Sequence, residues 1–434
     1  AGCALAALLA AAPCQADGPA WHGVLRTYWQ GGRAANAGPL AAADAAGLAI
    51  SPPSMQSSEA QLQGALTLGG AQLRVEALAR QRRRSGEGEQ GRMQFNEAQL
   101  SGGSGPWQWT VGKKVLSWDV GQGFRPNDLV QQETRRSLLN LPLEGRSMLL
   151  GEYFSAERAW SLAAVNPTAR RSATGGSEPA LAARVYQRDG DADWHGFARL
   201  GAHTGASVGA AAAWVVNESL ELHASARYLR HHDTLRHSAD SPPLSASNPW
   251  LNQRQGSARQ WLIGGSWTTA EQISLLLEAW RDDTAPSAAD WRGWAARNAE
   301  LNRYAAAGAP AMAVAGNQAW QAQMFPSSGN LRRDSLFARL SWTHDGWQPT
   351  LDALYHPQDG GLMLTAALSW QGDRLKLEAG LRRHAGHAHD APDPLGHRLL
   401  ADHREAAGHV AVQRAVARGH LALVAGGQHD AAAL

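Results

Sequence analysis

Apolar and polar residues alternate along most of this chain. In Ile273-Ser274-Leu275-Leu276-Leu277-Glu278-Ala279, one face carries Ile273, Leu275, Leu277 and Ala279 and the other Ser274 and Glu278. Leu375, Leu377, Ala379 and Leu381 alternate with Lys376, Glu378, Gly380 and Arg382, and Leu73, Val75, Ala77 and Ala79 with Arg74, Glu76 and Arg80. Leu220, Leu222, Ala224, Ala226 and Tyr228 alternate with Glu221, His223, Ser225 and Arg227. A two-residue period means extended strand. It predicts strands near 21–29, 61–69, 71–82, 91–100, 106–118, 147–154, 157–166, 179–188, 192–202 and 206–216. Further strands are predicted near 219–231, 258–268, 272–282, 334–343, 347–356, 361–370, 374–384, 407–416 and 419–427.

The connections sort by length. Tight turns stand at Gly69-Gly70, Ser155–Glu157, Asn217–Ser219, Thr269–Gln272, His344–Gly346 and Gln371–Arg374, and long loops near 30–60, 119–146, 231–257, 283–333 and 385–406. If the first strand runs outward, every one of those turns falls on one side and every long loop on the other. A soluble sandwich has no reason to sort its loops in this way, whereas an outer-membrane barrel has short periplasmic turns and long extracellular loops. The expected fold is therefore all-β: a transmembrane up-and-down antiparallel β-barrel of about 18–20 strands. The expected surroundings are the lipid bilayer and lipopolysaccharide of the bacterial outer membrane. Residues 289–305, with Trp291, Trp294, Leu301 and Tyr304 on one side, predict a short helix in a long extracellular loop. The strand count is odd, whereas such barrels are even, and the chain ends on Ala431-Ala432-Ala433-Leu434 without an aromatic residue. The expectation is a barrel over 17–434 that lacks its last strand.

Composition agrees with a barrel. Charged residues make up 18% of the chain, yet no run of 18 apolar residues supplies a spanning helix. The 40 basic and 38 acidic residues leave a net charge of +2, which argues against a general nucleic-acid binder. Ala4–Ala12 followed by Pro13-Cys14-Gln15-Ala16 reads as the remnant of a signal peptide over residues 1–16, cut before Asp17. Both cysteines, Cys3 and Cys14, lie in that leader, so no disulfide framework is expected. All tryptophans except Trp250, Trp291, Trp294 and Trp320 fall in the expected strands, many at strand ends, among them Trp118 and Trp280. Indole rings at strand ends suggest girdles at the two membrane–water interfaces.

One segment is more individual. Gly112, Lys113, Val115, Ser117 and Trp118 are followed by Pro126, Asn127 and Asp128. Over residues 107–166 the chain resembles a group of proteobacterial outer-membrane barrels related to alginate-export porins. That group has a Gly-Arg/Lys-x-Val-x-Ser-Trp strand and then an Asn-Pro or Pro-Asn-Asp loop. Asp119 departs from the pattern, since many relatives have glycine there. The resemblance implies a transport or channel role and no particular substrate.

The chemistry expected of the site follows from the barrel. A polar loop over 119–146 with Gly121, Gly123 and Pro126 can fold back into the lumen. There Arg125, Asp128, Glu133, Arg135 and Arg136 are candidates for a constriction, because charge at the narrowest point sets selectivity. An ordinary surface loop is the alternative. Arg74, Glu76, Lys114, Glu152, Arg184, Arg227, Glu278, Arg339, Lys376 and Glu378 are expected to face the lumen, and with them Arg80, Arg199, Glu221 and Arg382. Each Arg or Lys turned to lipid at mid-depth would cost roughly 2–4 kcal/mol. That set holds nine basic and five acidic residues and leans toward anions. The function it implies is passive passage of a small polar, possibly anionic, or amphipathic solute. A second reading uses the histidines. His231, His232, Asp233 and His237, and then His384, His387, His389, Asp390, His397 and His403, fall in expected external loops and could capture metal or anchor a surface complex. Arg80, Arg82, Arg83 and Arg84 could meet lipopolysaccharide phosphates. No GxSxG elbow, Walker loop or dinucleotide fingerprint is present, so neither an enzyme nor a cofactor is expected.

Overall fold

The computed structural model describes residues 20–31, 43, 45–48, 54–84, 88–132, 142–170, 173, 175–245, 247–322, 325, 329–373, 375–385 and 408–417. The first strands are β1 (Ala20–Gly31), β2 (Met55–Leu68), β3 (Ala71–Arg84), β4 (Gln90–Ser104) and β5 (Trp107–Lys114). After a long loop follow β6 (Arg146–Phe154), β7 (Arg158–Val165), β8 (Ala180–Asp189), β9 (Ala192–Gly201), β10 (Gly205–Asn217) and β11 (Leu220–Leu229). A small ribbon, β12 (His232–His237) with β13 (Trp250–Gln255), stands apart from the main sheet. The sheet resumes with β14 (Ala258–Thr268), β15 (Ile273–Asp282), β16 (Asp334–Trp342) and β17 (Trp347–His356), and finishes with β18 (Gly361–Gln371), β19 (Leu375–Ala385) and β20 (Gly408–Ala417).

Eighteen strands form one antiparallel sheet in which each strand pairs with its neighbour in sequence, β14 following β11. The sheet closes on itself: β20 pairs with β19 and also with β1, from His22↔Ala417 to Gly31↔Gly408. All eighteen match segments expected from the alternation, and the nineteenth, 419–427, lies outside the described residues. An even number brings the start of β1 and the end of β20 to the same rim.

The two faces of the wall differ as the alternation requires. On β15, Leu277 is 52% exposed and points outward, whereas Leu276, Glu278, Trp280 and Asp282 are buried on the inner face. Leu149, Leu162, Leu181, Leu200, Ile263, Leu340, Leu351 and Leu381 stand outward in the same way around the ring. Such a band in water would be a large exposed apolar patch; in hydrocarbon it is the solvated surface.

The exposed tryptophans are unevenly divided between the two rims. Trp21, Trp107, Trp160, Trp194, Trp214, Trp267, Trp342 and Trp347 are exposed and all stand at the rim of short turns. Neighbouring rings touch there, with Trp107 5.0 Å from Tyr153 and Trp347 6.2 Å from Trp370. At the long-loop rim Trp29, Tyr228 and Trp261 are the exposed aromatics of the ring. Trp118 and Trp280 belong to neither girdle. Strand β5 ends at Lys114, not near 118, after Gly112 adopts φ 127°, and the chain then turns inward. Trp118 is 3% and Trp280 5% exposed, both inside the ring.

The long-loop rim carries a packed cap. Helix α1 (Ala288–Ala306) starts at Ser287 with a capping box in which Ser287 and Asp290 satisfy each other's backbone N–H. A second helix that the sequence reading did not anticipate, α2 (Ala311–Ala322), follows at once. Trp294 and Ala295 of α1 pack with Leu235 and Trp250 of the ribbon, with Trp291 and Phe325 against them. Arg297 donates to the carbonyls of Pro242 and Pro243 at 3.1 Å each. Ala315 and Ala319 of α2 pack on Ala43, Ala46 and Leu48, which belong to the connection between β1 and β2. Tyr304, expected on the packed side of α1, is 40% exposed.

Changing Leu277 to Arg should lower barrel stability by about 2–4 kcal/mol in a lipid-vesicle unfolding titration, because a cation at mid-depth then faces hydrocarbon. Leu277→Ile should leave the transition nearly in place.

Candidate functional site

The inner face collects the polar residues. Arg74, Glu76, Lys114, Glu152, Arg184, Arg227, Glu278, Arg339, Lys376 and Glu378 all stand on the strand phase opposite the outward leucines and tryptophans. Most are engaged with other inner-face residues. Arg339 makes two bonds to Asp352, at 2.8 and 2.9 Å. Arg80 meets Glu59 at 2.5 Å, Lys376 meets Glu378 at 2.7 Å, and Arg74 lies 3.5 Å from Glu97. Glu76 accepts from Gln63 and Asn96, and Glu152 from Ser161. Arg199 and Glu178, both fully buried, pair at 2.6 Å and tie the β7–β8 connection to the turn at His203 and Thr204. The count made from the sequence was incomplete in both signs: Glu59, Glu97, Asp282 and Asp352 also stand on the inner face, and so do Arg26, Arg82 and Arg146.

The segment after β5 lies inside the ring. Trp118, Leu129 and Val130 are buried against Met148, Leu150, Ala163, Ala182, Phe197 and Ala211, which are inner-face residues of β6 to β10. Each such side chain taken out of water is worth about 1.5–3 kcal/mol. The tip reaches the far wall: Phe124 stacks on Trp280 of β15 at 5.8 Å. The backbone N–H groups of Gln122 and Gly123 donate to the two carboxylate oxygens of Glu278 at 2.7 and 2.6 Å. On its way back the loop is held by Asn127, whose side-chain amide donates to Ser225 Oγ at 2.9 Å and to the carbonyl of Ala226 at 3.1 Å. Arg227 donates to the carbonyl of Pro126 at 3.1 Å.

Glu278 is the hub of this arrangement. Its side chain is 0% exposed, and His223 Nε2 lies 3.0 Å away. In register, His223 stands beside Gly264 and Gly264 beside Glu278. A Cβ at Gly264 would come within 2.6 Å of His223 and 2.7 Å of Glu278. The glycine leaves the gap across which two side chains on non-adjacent strands can meet. A buried carboxylate needs such partners, and removing one costs roughly 3–5 kcal/mol.

Of the expected constriction residues, Arg125 is turned into the loop itself, donating to Gly121 O at 2.7 Å and Ser117 Oγ at 2.8 Å. Asp128 is 3% exposed. Glu133, Arg135 and Arg136 lie outside the described residues. Asp119 has a role that the sequence reading did not foresee. Its carboxylate accepts from the backbone N–H of Val120 at 2.8 Å and of Asn127 at 2.5 Å, while its own φ is 154°. The signal was its departure from the glycine of the resembling barrels. The arginine cluster at the end of β3 is split between the faces: Arg80 and Arg82 share the inner phase and Arg83 stands outward, since a strand turns alternate residues to opposite sides.

The external histidines among the described residues do not gather into a metal site. Among the described residues no group of three or more His, Cys, Asp or Glu is placed to hold a metal ion. His203 pairs with Asp233 at 2.7 Å, His232 with the carbonyl of Gly256 at 3.0 Å, and the ring of His237 meets Trp250 edge-on at 5.2 Å. Residues 387–403 lie outside the described residues.

No known family matches the chain, and no curated protein resembles it in sequence. Its fold has solved counterparts. OccAB1 of Acinetobacter baumannii superposes over 92% of this chain and 97% of its own length, with a TM-score of 0.53 at 10% identity. OpdL of Pseudomonas aeruginosa does so over 92% and 99%, with a TM-score of 0.52 at 9% identity. The fold is that of a porin-like antiparallel β-barrel.

His237 carries a prediction for the cap. Burial, aided by the nearby charge of Arg297 and opposed by Asp290, lowers its pKa to about 4. The unfolded value is near 6.5. A depressed histidine contributes its full stability above 6.5 and loses it as pH falls through the window from about 6.5 to about 4. The tryptophan fluorescence of the purified protein should show a transition in that window, and His237→Gln should abolish or reduce it.

Proposed function

We propose that the chain is an outer-membrane channel for passive passage of a small polar solute, with its lumen narrowed by the loop between β5 and β6. The observation that carries this reading is the path of that loop. It leaves β5, reaches β15 and Phe337 of β16, and returns past β11 and β10 to β6. Apart from the loop's root at β4 and β5, these contacts fall on one side of the ring. The wall from β17 through β20 to β4 remains opposite it and carries Glu59, Arg80, Asp352, Arg382 and Lys376 on its inner phase. A solute therefore passes between a main-chain-rich loop and a charged wall, and the charges at that narrowing set the selectivity. The outward apolar band places the barrel in hydrocarbon, and the likeness of fold to OccAB1 and OpdL supports the outer membrane as its location.

Because Arg74, Arg80, Arg339 and Lys376 are paired with carboxylates, selectivity depends on individual pairs and not on net charge alone. The small anion bias of the sequence count becomes a preference for polar solutes that can meet both signs. Lipopolysaccharide contact rests on Arg83 at the long-loop rim rather than on a cluster of four.

Purified full-length protein in planar bilayers should give discrete conductance steps. Its absence from repeated reconstitutions would remove this reading. Arg339→Ala leaves Asp352 without its bidentate partner and should shift ion selectivity toward cations, whereas Asp352→Asn should shift it toward anions. Reversal potentials in a salt gradient measure both shifts.

A further inference from the structure

We propose that Glu278 and Asp119 are positioning residues that lock the lumen loop at its tip and at its root, so that this loop is a fixed restriction and not a moving gate. The proposal rests on the channel reading above and adds what holds the narrowing in place.

At the tip, the lock is a carboxylate in the wall that has been given main-chain donors. Glu278 is fully buried, on the strand across the ring from β5, with β6 to β11 and β14 between them. Its two oxygens take the N–H groups of consecutive loop residues, Gln122 and Gly123, and its third neighbour is His223. If the loop lifted away, the carboxylate would keep only the histidine. A buried charge with too few donors is strongly disfavoured. The backbone is also pressed close to the wall: a Cβ on Gly123 would lie 2.8 Å from Glu278 Oε2, 3.1 Å from Phe337 and 3.2 Å from Trp280. Phe124 completes the contact by stacking on Trp280.

At the root, the lock is a strained residue. Asp119 holds φ 154°, a conformation that suits glycine, and such strain persists only where surrounding interactions impose it. Those interactions are the two backbone N–H groups its carboxylate accepts, from Val120 and from Asn127 eight residues on. Asn127 is itself bonded to β10 and β11. The acid thus fastens the outgoing arm of the loop to the returning arm at the point where the returning arm meets the wall. Glycine would accept the same backbone angle without strain and would supply no fastening. The two locks are distinct: one joins the loop to β15, and the other joins the two arms of the loop to each other and, through Ser225, to β11.

The test uses the full chain with Cys3 and Cys14 changed to Ser and a nitroxide attached at Gln122→Cys, at the exposed side chain of the tip. In the otherwise unchanged protein the label should be strongly immobilised. Glu278→Ala and Asp119→Gly should each raise label mobility, and each should raise unitary conductance and current noise in planar bilayers. Glu278→Gln, which keeps an acceptor, should fall between. If both variants show the mobility and conductance of the parent while still migrating as folded barrels on an unboiled detergent gel, the lock is overturned. Should Glu278→Ala fail to fold, Asp119→Gly decides alone, because it removes no pairing between strands and glycine accepts the same backbone angle. If the parent passes no ions yet the label responds to both substitutions, the channel reading fails and the lock stands.

Discussion

A strand in hydrocarbon has no water to satisfy its main-chain donors and acceptors, and each group left open costs several kcal/mol. The remaining features of this molecule follow from that requirement. An open sheet would carry two unsatisfied edges, so β20 must find β1, and the ladder between them spans His22 to Gly31. Closure then creates an inside and an outside, and the two-residue period of each strand assigns every side chain to one or the other. Leucines spaced two apart meet lipid, and the residues between them meet the lumen. Polar inner residues are thereby forced into a confined space, where they pair with one another: Arg339 with Asp352, Arg80 with Glu59, Arg199 with Glu178.

The same economy governs the loop inside the ring. It cannot be stabilised by a ladder of its own, so it uses the wall. Its apolar residues take the small and aliphatic inner positions of β6 to β10. Its backbone donors take the one carboxylate on β15 that is within reach. Glycines on the wall and in the loop set how near the two can come, as Gly264 and Gly123 show. The seat of the loop against the wall is therefore written as much in missing side chains as in charged ones.

Much of this was legible in the sequence, and the reasons for the rest are physical. Alternation marked all eighteen ring strands, because hydrocarbon on one face imposes a strict period, and the sorting of connections by length marked the two rims. The inward phase of Arg184, Arg227, Glu278 and Arg339 follows from the same period. Pairing was not legible: nothing local to Glu278 reveals that His223 faces it across Gly264, since contacts between strands depend on register and on the strand that lies between. Trp118 and Trp280 were misread as girdle residues because an indole near a strand end suits an interface and a packed lumen equally. The ribbon β12–β13 and helix α2 lie in loops whose order comes from tertiary packing around Trp250 and Ala315, which carries no simple period. The arginine run at the end of β3 looked like one patch, although a strand distributes successive residues to opposite faces.

The cap over the mouth has a mechanical consequence. Helix α2 arises from the connection between β15 and β16 but seats its alanines on the connection between β1 and β2, which belongs to a distant part of the circumference. A ring of strands is softest toward flattening, in which opposite sides approach while the other two spread. A member tied to two separated points of the rim acts as a chord and opposes that deformation. The outline of the entrance is in this way held round by a brace that contributes nothing to the wall itself.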